Sequence, residues 1–198
     1  MSCFLFSIDV VQKIFKRRGA DIMSREIVVF IGISLDGFIA KENDDLQWLE
    51  ETEGEGDNGY TDMYQTIDTV IMGKRTYDYI LEHIDTFPYP DKKCYVFSKS
   101  QTGKDEHVEF VQGDVVAFTK KLKQQPGAKI WMVGGADILD AFLQEQLVDE
   151  WIITITPHLL GSGIPLFKQP RPFEDLKLLE TKRYGQMVQM HYKVKKEV

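Results

Sequence analysis

Three places in this chain put glycine, cations or hydroxyls directly after an apolar run and before a helical or loop pattern. Gly73 is followed by Lys74, Arg75 and Thr76; CYVF is followed by Ser98, Lys99 and Ser100; KIWMV is followed by Gly134, Gly135 and Ala136. Junctions of this kind expose free backbone N–H groups, and a helix that starts there adds the positive end of its dipole, so they suit anionic ligands. Glycine lets backbone approach a pyrophosphate closely. Each junction alone is unspecific, and a Gly-Gly after a strand is commonly just a helix-packing turn. Recurrence at three strand ends makes the set a candidate site for a polyanionic dinucleotide. Ser98 and Lys99 would hold a further phosphate, which favours a 2′-phosphorylated nicotinamide cofactor over the plain one.

The elements that must position these residues follow from periodicity. REIVVFIGIS, from Arg25, is apolar and β-branched, as a strand buried on both faces should be, and SLDGFIA adds a tight turn with an extended continuation. Residues 41–56 are acidic and glycine-punctuated, which predicts a long loop; a helix is expected over 57–67, then the strand DTVIM. RTYDYILEHI continues as a helix that TFPYPD ends, because proline cannot sit in a helix interior. KCYVFS and HVEFV follow as strands, VVAFTKKLKQQ as a helix and KIWMVGG as a buried strand. ADILDAFLQEQL places Ile138, Leu139, Phe142 and Leu143 on one helical face. VDEWIITITPHLL reads as a strand, PHLLGSGIPLFKQPRPF as a loop, and DLKLLETKRY with MVQMHYKVK as a hairpin around Gly185. The alternation predicts an α/β fold: a central mixed, mainly parallel sheet, helices on both faces, and a C-terminal antiparallel hairpin. Ligands of such sheets bind beyond the carboxyl ends of the strands, where the three junctions fall.

At 198 residues the chain can bury one full core, and 43% hydrophobic with 28% charged residues is the composition of a soluble globular domain. A net charge of −7 argues against a nucleic-acid partner, which needs an extended cationic face. Cys3 and Cys94 supply neither a disulfide framework nor metal-ligand spacing, so no metal is expected and a reducing cytoplasm fits. Residues 1–22 stand apart from the domain expected over 23–198. Their apolar stretch precedes their cations, the reverse of a secretory signal, and Asp9 interrupts a run too short to span a membrane. Two readings stay open for them. Phe4, Ile8, Val11, Ile14 and Phe15 could share a helical face opposite Lys13, Lys16 and Arg17, as in a surface-binding helix; or the segment is an extension without function, since Met23 directly precedes the first strand.

Taken in order, SLDGFIA, DTVIMGKRTYDYI, CYVFSKS, IWMVGGADI and ITITPHLLGSGIPLF make the stretch from about Arg25 to Lys195 resemble the dihydrofolate reductase-like fold. The resemblance is strongest to the branch that contains the reductase domain of the bifunctional riboflavin-biosynthesis enzyme, the RibD C-terminal domain. It implies NADPH as cofactor. Gly73, Lys74, Arg75 and Thr76 would lie against the phosphates, Ser98 and Lys99 near the adenosine 2′-phosphate, and Gly134, Gly135 and Ala136 at the pyrophosphate. Backbone around Ile31 and Gly32, with Ile39 and Ala40, would border the nicotinamide. The implied reaction is hydride transfer to a C=N or C=O bond of a small pteridine- or pyrimidine-type heterocycle, in a protein that forms a homodimer by analogy.

The substrate side transfers less directly. True dihydrofolate reductases carry a carboxylate on the first helix, after a Trp and a Leu-Pro pair; here Trp48 is present and no Leu-Pro follows. Ungapped counting back from MGKR brings Asp57 to the acid position, with Asp62 as a second candidate. In a closed apolar cleft such a carboxylate would have its pKa raised by desolvation, whereas a solvated loop charge would not. Asp36 either contacts substrate from the SLDG turn or shapes that turn. Thr154 either hydrogen-bonds substrate or is an ordinary strand residue. Trp48, Tyr60 and Tyr64 are the aromatics expected beside a flat substrate, or else in packing. The competing class is a non-catalytic nucleotide-binding or regulatory module that kept the fold without the substrate acid.

Overall fold

A computed structural model describes residues 24–195; both readings of residues 1–22 concern positions outside the described residues. The first strand, β1 (Ile27–Ile33), shows why the sheet is covered on both sides. Ile27 and Val29 pack into one buried cluster and Val28 into another, the alternation that a pleated strand imposes. The same split recurs in β3 (Ile67–Gly73), with Ile71 on one face and Val70 and Met72 on the other, and in β7 (Lys129–Gly134), with Ile130 and Met132 opposite Trp131.

Helices cover the two faces separately. On the first face lie α4 (Val115–Lys123), through Leu122, and α5 (Ala136–Gln144), through the Ile138, Leu139, Phe142 and Leu143 stripe that its spacing predicts. On the second lie α2 (Tyr60–Tyr64), through Met63, and α3 (Lys74–His83), through Tyr77 and Ile80. The remaining strands are β4 (Lys93–Phe97), β5 (Gly103–Lys104), β6 (Glu109–Val111), β8 (Glu150–Ile155), β10 (Leu176–Tyr184) and β11 (Met187–Val194), and the sheet runs β10-β11-β8-β1-β7-β3-β4-β6-β5. From β8 to β6 every pairing is parallel; β11 joins β8 antiparallel, and β10 and β11 form the expected hairpin. A separate two-stranded sheet pairs β2 (Phe38–Ala40) with β9 (Ile164–Pro165).

Three local expectations change. The helix expected over 57–67 contracts to α2, because Gly59 at φ 80° precedes it and Ile67 is already the first residue of β3. The loop expected over 41–56 contains a helical turn, α1 (Gln47–Glu50), which buries Trp48 and whose first N–H donates to Asp45 Oδ1 at 2.8 Å. The two-residue strands β5 and β9 are too short to carry a period in sequence. At the amino ends of the strands buried charge is internally matched: Arg25 with Asp68, Lys123 with Asp149, and Lys129 with Glu150 at 2.5 Å. The carboxyl ends are arranged differently.

Candidate active site at the carboxyl ends of the strands

β3 and β7 are neighbours, and each runs directly into a helix, α3 after Gly73 and α5 after Gly135. Neither helix start is capped by a side chain, so their first N–H groups remain available to an external acceptor. The two starts touch. A Cβ on Gly135, which holds φ 100°, would come 3.4 Å from the Gly73 nitrogen, and one on Gly134 would come 3.2 Å from Thr76 Oγ1. Gly73, Thr76, Gly134 and Gly135 thus form one surface, built from residues that the sequence separates by about sixty positions. Ala136 opens α5 beside it.

Cations ring this surface, and carboxylates hold them. Lys74 pairs with Asp78 one turn on, and Arg75 reaches back to Asp44, its Nε donating to Asp44 Oδ2 at 2.9 Å. Asp137, in the first turn of α5, accepts from Lys168 Nζ at 2.6 Å; this contact lowers its pKa, helped by the fields of Lys99 and Arg75. Arg75 of α3, Lys99 and Lys168 therefore converge on Asp137 from three separate segments, with Lys74 beside Arg75 at the start of α3. Lys168 was not signalled by the sequence, since it lies in a Gly/Pro-rich loop with no strand-end pattern beside it. The arrangement can hold a multiply charged anion against bare backbone, with Arg75 and Lys168 exchanging their carboxylates for it.

Ser98 is buried, and its hydroxyl accepts the N–H groups of Ser100 and Gln101 at 3.2 and 3.0 Å, which folds the turn that leaves Lys99 exposed. Ile39 and Ala40 lie in β2, with Ala40 buried, and β2 is held near β1 by Ser34 N donating to Phe38 O at 2.9 Å.

On the substrate side, Gly32 pairs with Thr154 across β1 and β8, and Gln189 of β11 continues the row. Leu49 packs over Gly32: a Cβ there would come 2.8 Å from Leu49 Cδ1. Thr154 is buried, and its hydroxyl accepts from Gln189 Nε2 at 3.0 Å; the same amide donates to Asn58 O at 3.1 Å, so Gln189 ties Thr154 to the segment entering α2.

The carboxylates differ from expectation. Asp57 is exposed and accepts Gly59 N at 3.0 Å and Thr61 N at 2.8 Å, as a cap on α2. The Thr61 side chain and these N–H groups lower its pKa, so the raised value expected of a proton donor in an apolar cleft does not arise. Asp62 is likewise exposed on α2. Asp36 is committed to structure: Ser34 Oγ donates to it at 2.6 Å, and the Leu160 and Gly161 N–H groups at 3.1 and 2.7 Å, and all three lower its pKa, Ser34 most. Tyr60 and Tyr64 stack on each other at 5.3 Å; Tyr60 is edge-on to Trp131, and Tyr64 donates to Asp91. They are packing residues. Trp48 is buried and lies edge-on to His158, with centroids 5.8 Å apart. His158 carried no signal in sequence, because a single His after a Pro in a loop has no period or partner.

The family model of the RibD C-terminal domain matches residues 25–190. The YwjB protein of Bacillus subtilis (strain 168) is 51% identical over 171 residues, which cover 86% of this chain and 98% of that protein. Among solved structures, a candidate riboflavin biosynthesis protein from Shewanella sp. PV-4 is 29% identical with a TM-score of 0.78, over 86% of this chain and 99% of its own. The dihydrofolate reductase of Enterococcus faecalis, complexed with NADP(H), shares the fold with a TM-score of 0.60 at 12% identity, over 86% and 97% of the two chains.

Proposed function

We propose, from the premise that the chain belongs to the RibD C-terminal domain family, that it is an NADPH-dependent reductase of a C=N or C=O bond in a small pteridine- or pyrimidine-type heterocycle. One observation carries the reading: the uncapped starts of α3 and α5 abut at Gly73 and Gly135, with Arg75, Lys99 and Lys168 converging beside them. The residues present fit the cofactor, because a Cβ would fill the cradle at Gly134 and Gly135 and the donors match a polyphosphate. When bound there, NADPH supplies the hydride. The chain's own residues bind and orient. Lys74, Arg75 and Lys168 take phosphate charge, Lys99 takes the 2′-phosphate, and Thr76 donates its hydroxyl beside Gly134. Thr154, paired with Gly32 across β1 and β8, would offer the acceptor a buried hydroxyl.

The committed state of Asp57 favours a second reading, a nucleotide-binding module without turnover. Titration of tryptophan fluorescence with NADPH and NADH, followed by turnover with dihydrofolate and with a ribosylaminopyrimidine of the riboflavin type, separates the two. The reductase reading expects tighter binding of NADPH and oxidation of it with at least one acceptor. Failure to bind either nucleotide sinks both readings, and equal binding of the two sinks the role given to Lys99.

A further inference from the structure

His158 stands three residues beyond the end of β8, where the chain passes the end of β1, and its carbonyl accepts Leu35 N at 2.8 Å. Its ring is half-buried against Trp48, and Nδ1 lies 3.2 Å from Thr156 Oγ1 and 3.5 Å from Thr52 Oγ1. Both hydroxyls have already spent their only hydrogen. Thr156 donates to Ile33 O at 3.2 Å, and Thr52 donates to Trp48 O at 2.8 Å. Each then meets the imidazole as an acceptor, which assigns the neutral ring's proton to Nδ1 and leaves Nε2 as the free nitrogen.

Resting on the reductase reading, we propose that His158 is the proton-exchanging group of the substrate side. It would act at the carboxyl ends of β1 and β8, beside Trp48. The acceptor carbon takes a hydride from NADPH, the π electron pair moves onto nitrogen or oxygen, and that atom takes the proton from the imidazolium Nε2. The ring is left neutral with its proton on Nδ1, and its half-buried position lets solvent recharge it. Charged groups on the elements around the ring are occupied or turned away. Asp36 is held by Ser34, Leu160 and Gly161; Glu50 faces Tyr79; Glu51 accepts from Gln47 Nε2 at 2.6 Å; Glu53 is exposed. Trp48 Nε1 donates to Asp45 O at 3.2 Å, so the indole offers the ring only its carbon face or edge.

Long-range 1H–15N spectra of the full chain labelled with 15N-histidine, assigned with His158→Gln and recorded from about pH 5 to about pH 9 with and without NADPH, test this. The expected result is a neutral His158 ring protonated on Nδ1, whose Nε2 signal moves when NADPH saturates the protein. An Nε2-protonated neutral ring, or an Nε2 signal unmoved by bound NADPH, overturns the proposal and leaves the reductase reading standing. A protein that binds no NADPH overturns the reductase reading and this one with it. With whichever acceptor turns over, His158→Gln and His158→Phe should lower kcat by about a hundredfold. Both should keep the KM for NADPH and change the pH dependence of the rate. His158→Phe preserves a ring against Trp48, so a wild-type rate and pH profile in that variant would show that packing alone matters, and the proposal fails.

Discussion

Asp36 Oδ2 accepts the Gly161 N–H at 2.7 Å, and with Leu160 N on Oδ1 this joins the turn after β1 to the loop after β8. The same carboxylate takes the Ser34 hydroxyl, so the two segments that flank His158 are held by one ionised group. Because these bonds lower its pKa below the ordinary 3.8, the native state favours the carboxylate, and the stability it contributes is present above that value and lost as pH falls through the lower native one. Asp36→Asn should therefore lower the thermal midpoint at neutral pH and flatten the loss of stability on the acid side. Calorimetric melts across that range check this; a variant curve parallel to wild type contradicts it.

Asp57 is expected to behave as a cap and not as an acid. Asp57→Ala removes the acceptor for Gly59 N and Thr61 N and should lower the midpoint by roughly 2–4 °C. Asp57→Asn keeps an oxygen for the cap and should restore most of that, with reductase turnover close to wild type. Loss of turnover in Asp57→Asn with an intact melt would return Asp57 to the role of proton donor.

Arg75 is shared between a phosphate role and Asp44. The pair is exposed, which places its strength in the range of surface ion pairs. Asp44→Asn should free the guanidinium and tighten NADPH binding by about two- to fivefold at low salt, an advantage that added salt removes. Arg75→Ala should weaken binding by about tenfold, as expected for loss of a hydrogen bond to a charged group. Calorimetric titration at two ionic strengths reads both; tighter binding in Arg75→Ala would remove that residue from the phosphate site.

Gly135 cannot accept a side chain without strain. Its φ of 100° lies outside what an L-residue adopts easily, and a Cβ there would stand between the Gly73 backbone and a bound phosphate, 3.4 Å from the Gly73 nitrogen. Gly135→Ala should cost about 1–3 kcal/mol of stability and weaken NADPH binding beyond what the melt explains. Urea unfolding with a parallel NADPH titration measures the two effects separately. An unchanged affinity would mean that the helix start is only a packing contact.

How much of this was legible in the chain depends on the range of the interaction involved. Period-two and period-3.6 patterns are local, so the chain alone determined the mainly parallel sheet, the α5 stripe of Ile138 to Leu143, the hairpin around Gly185, and the three junctions at Lys74, Lys99 and Gly134. Tertiary structure decided which of those residues are free. Asp36 and Asp57 look alike as acidic turn residues in sequence, but Asp57 finds its partners within four residues at the start of α2, whereas only the fold brings Leu160 and Gly161 to Asp36. Arg75 with Asp44, Lys168 with Asp137, and His158 with Thr52 and Trp48 are likewise contacts between distant segments. Their partners are set by where the strand ends and loops meet in space, and no local period records that meeting.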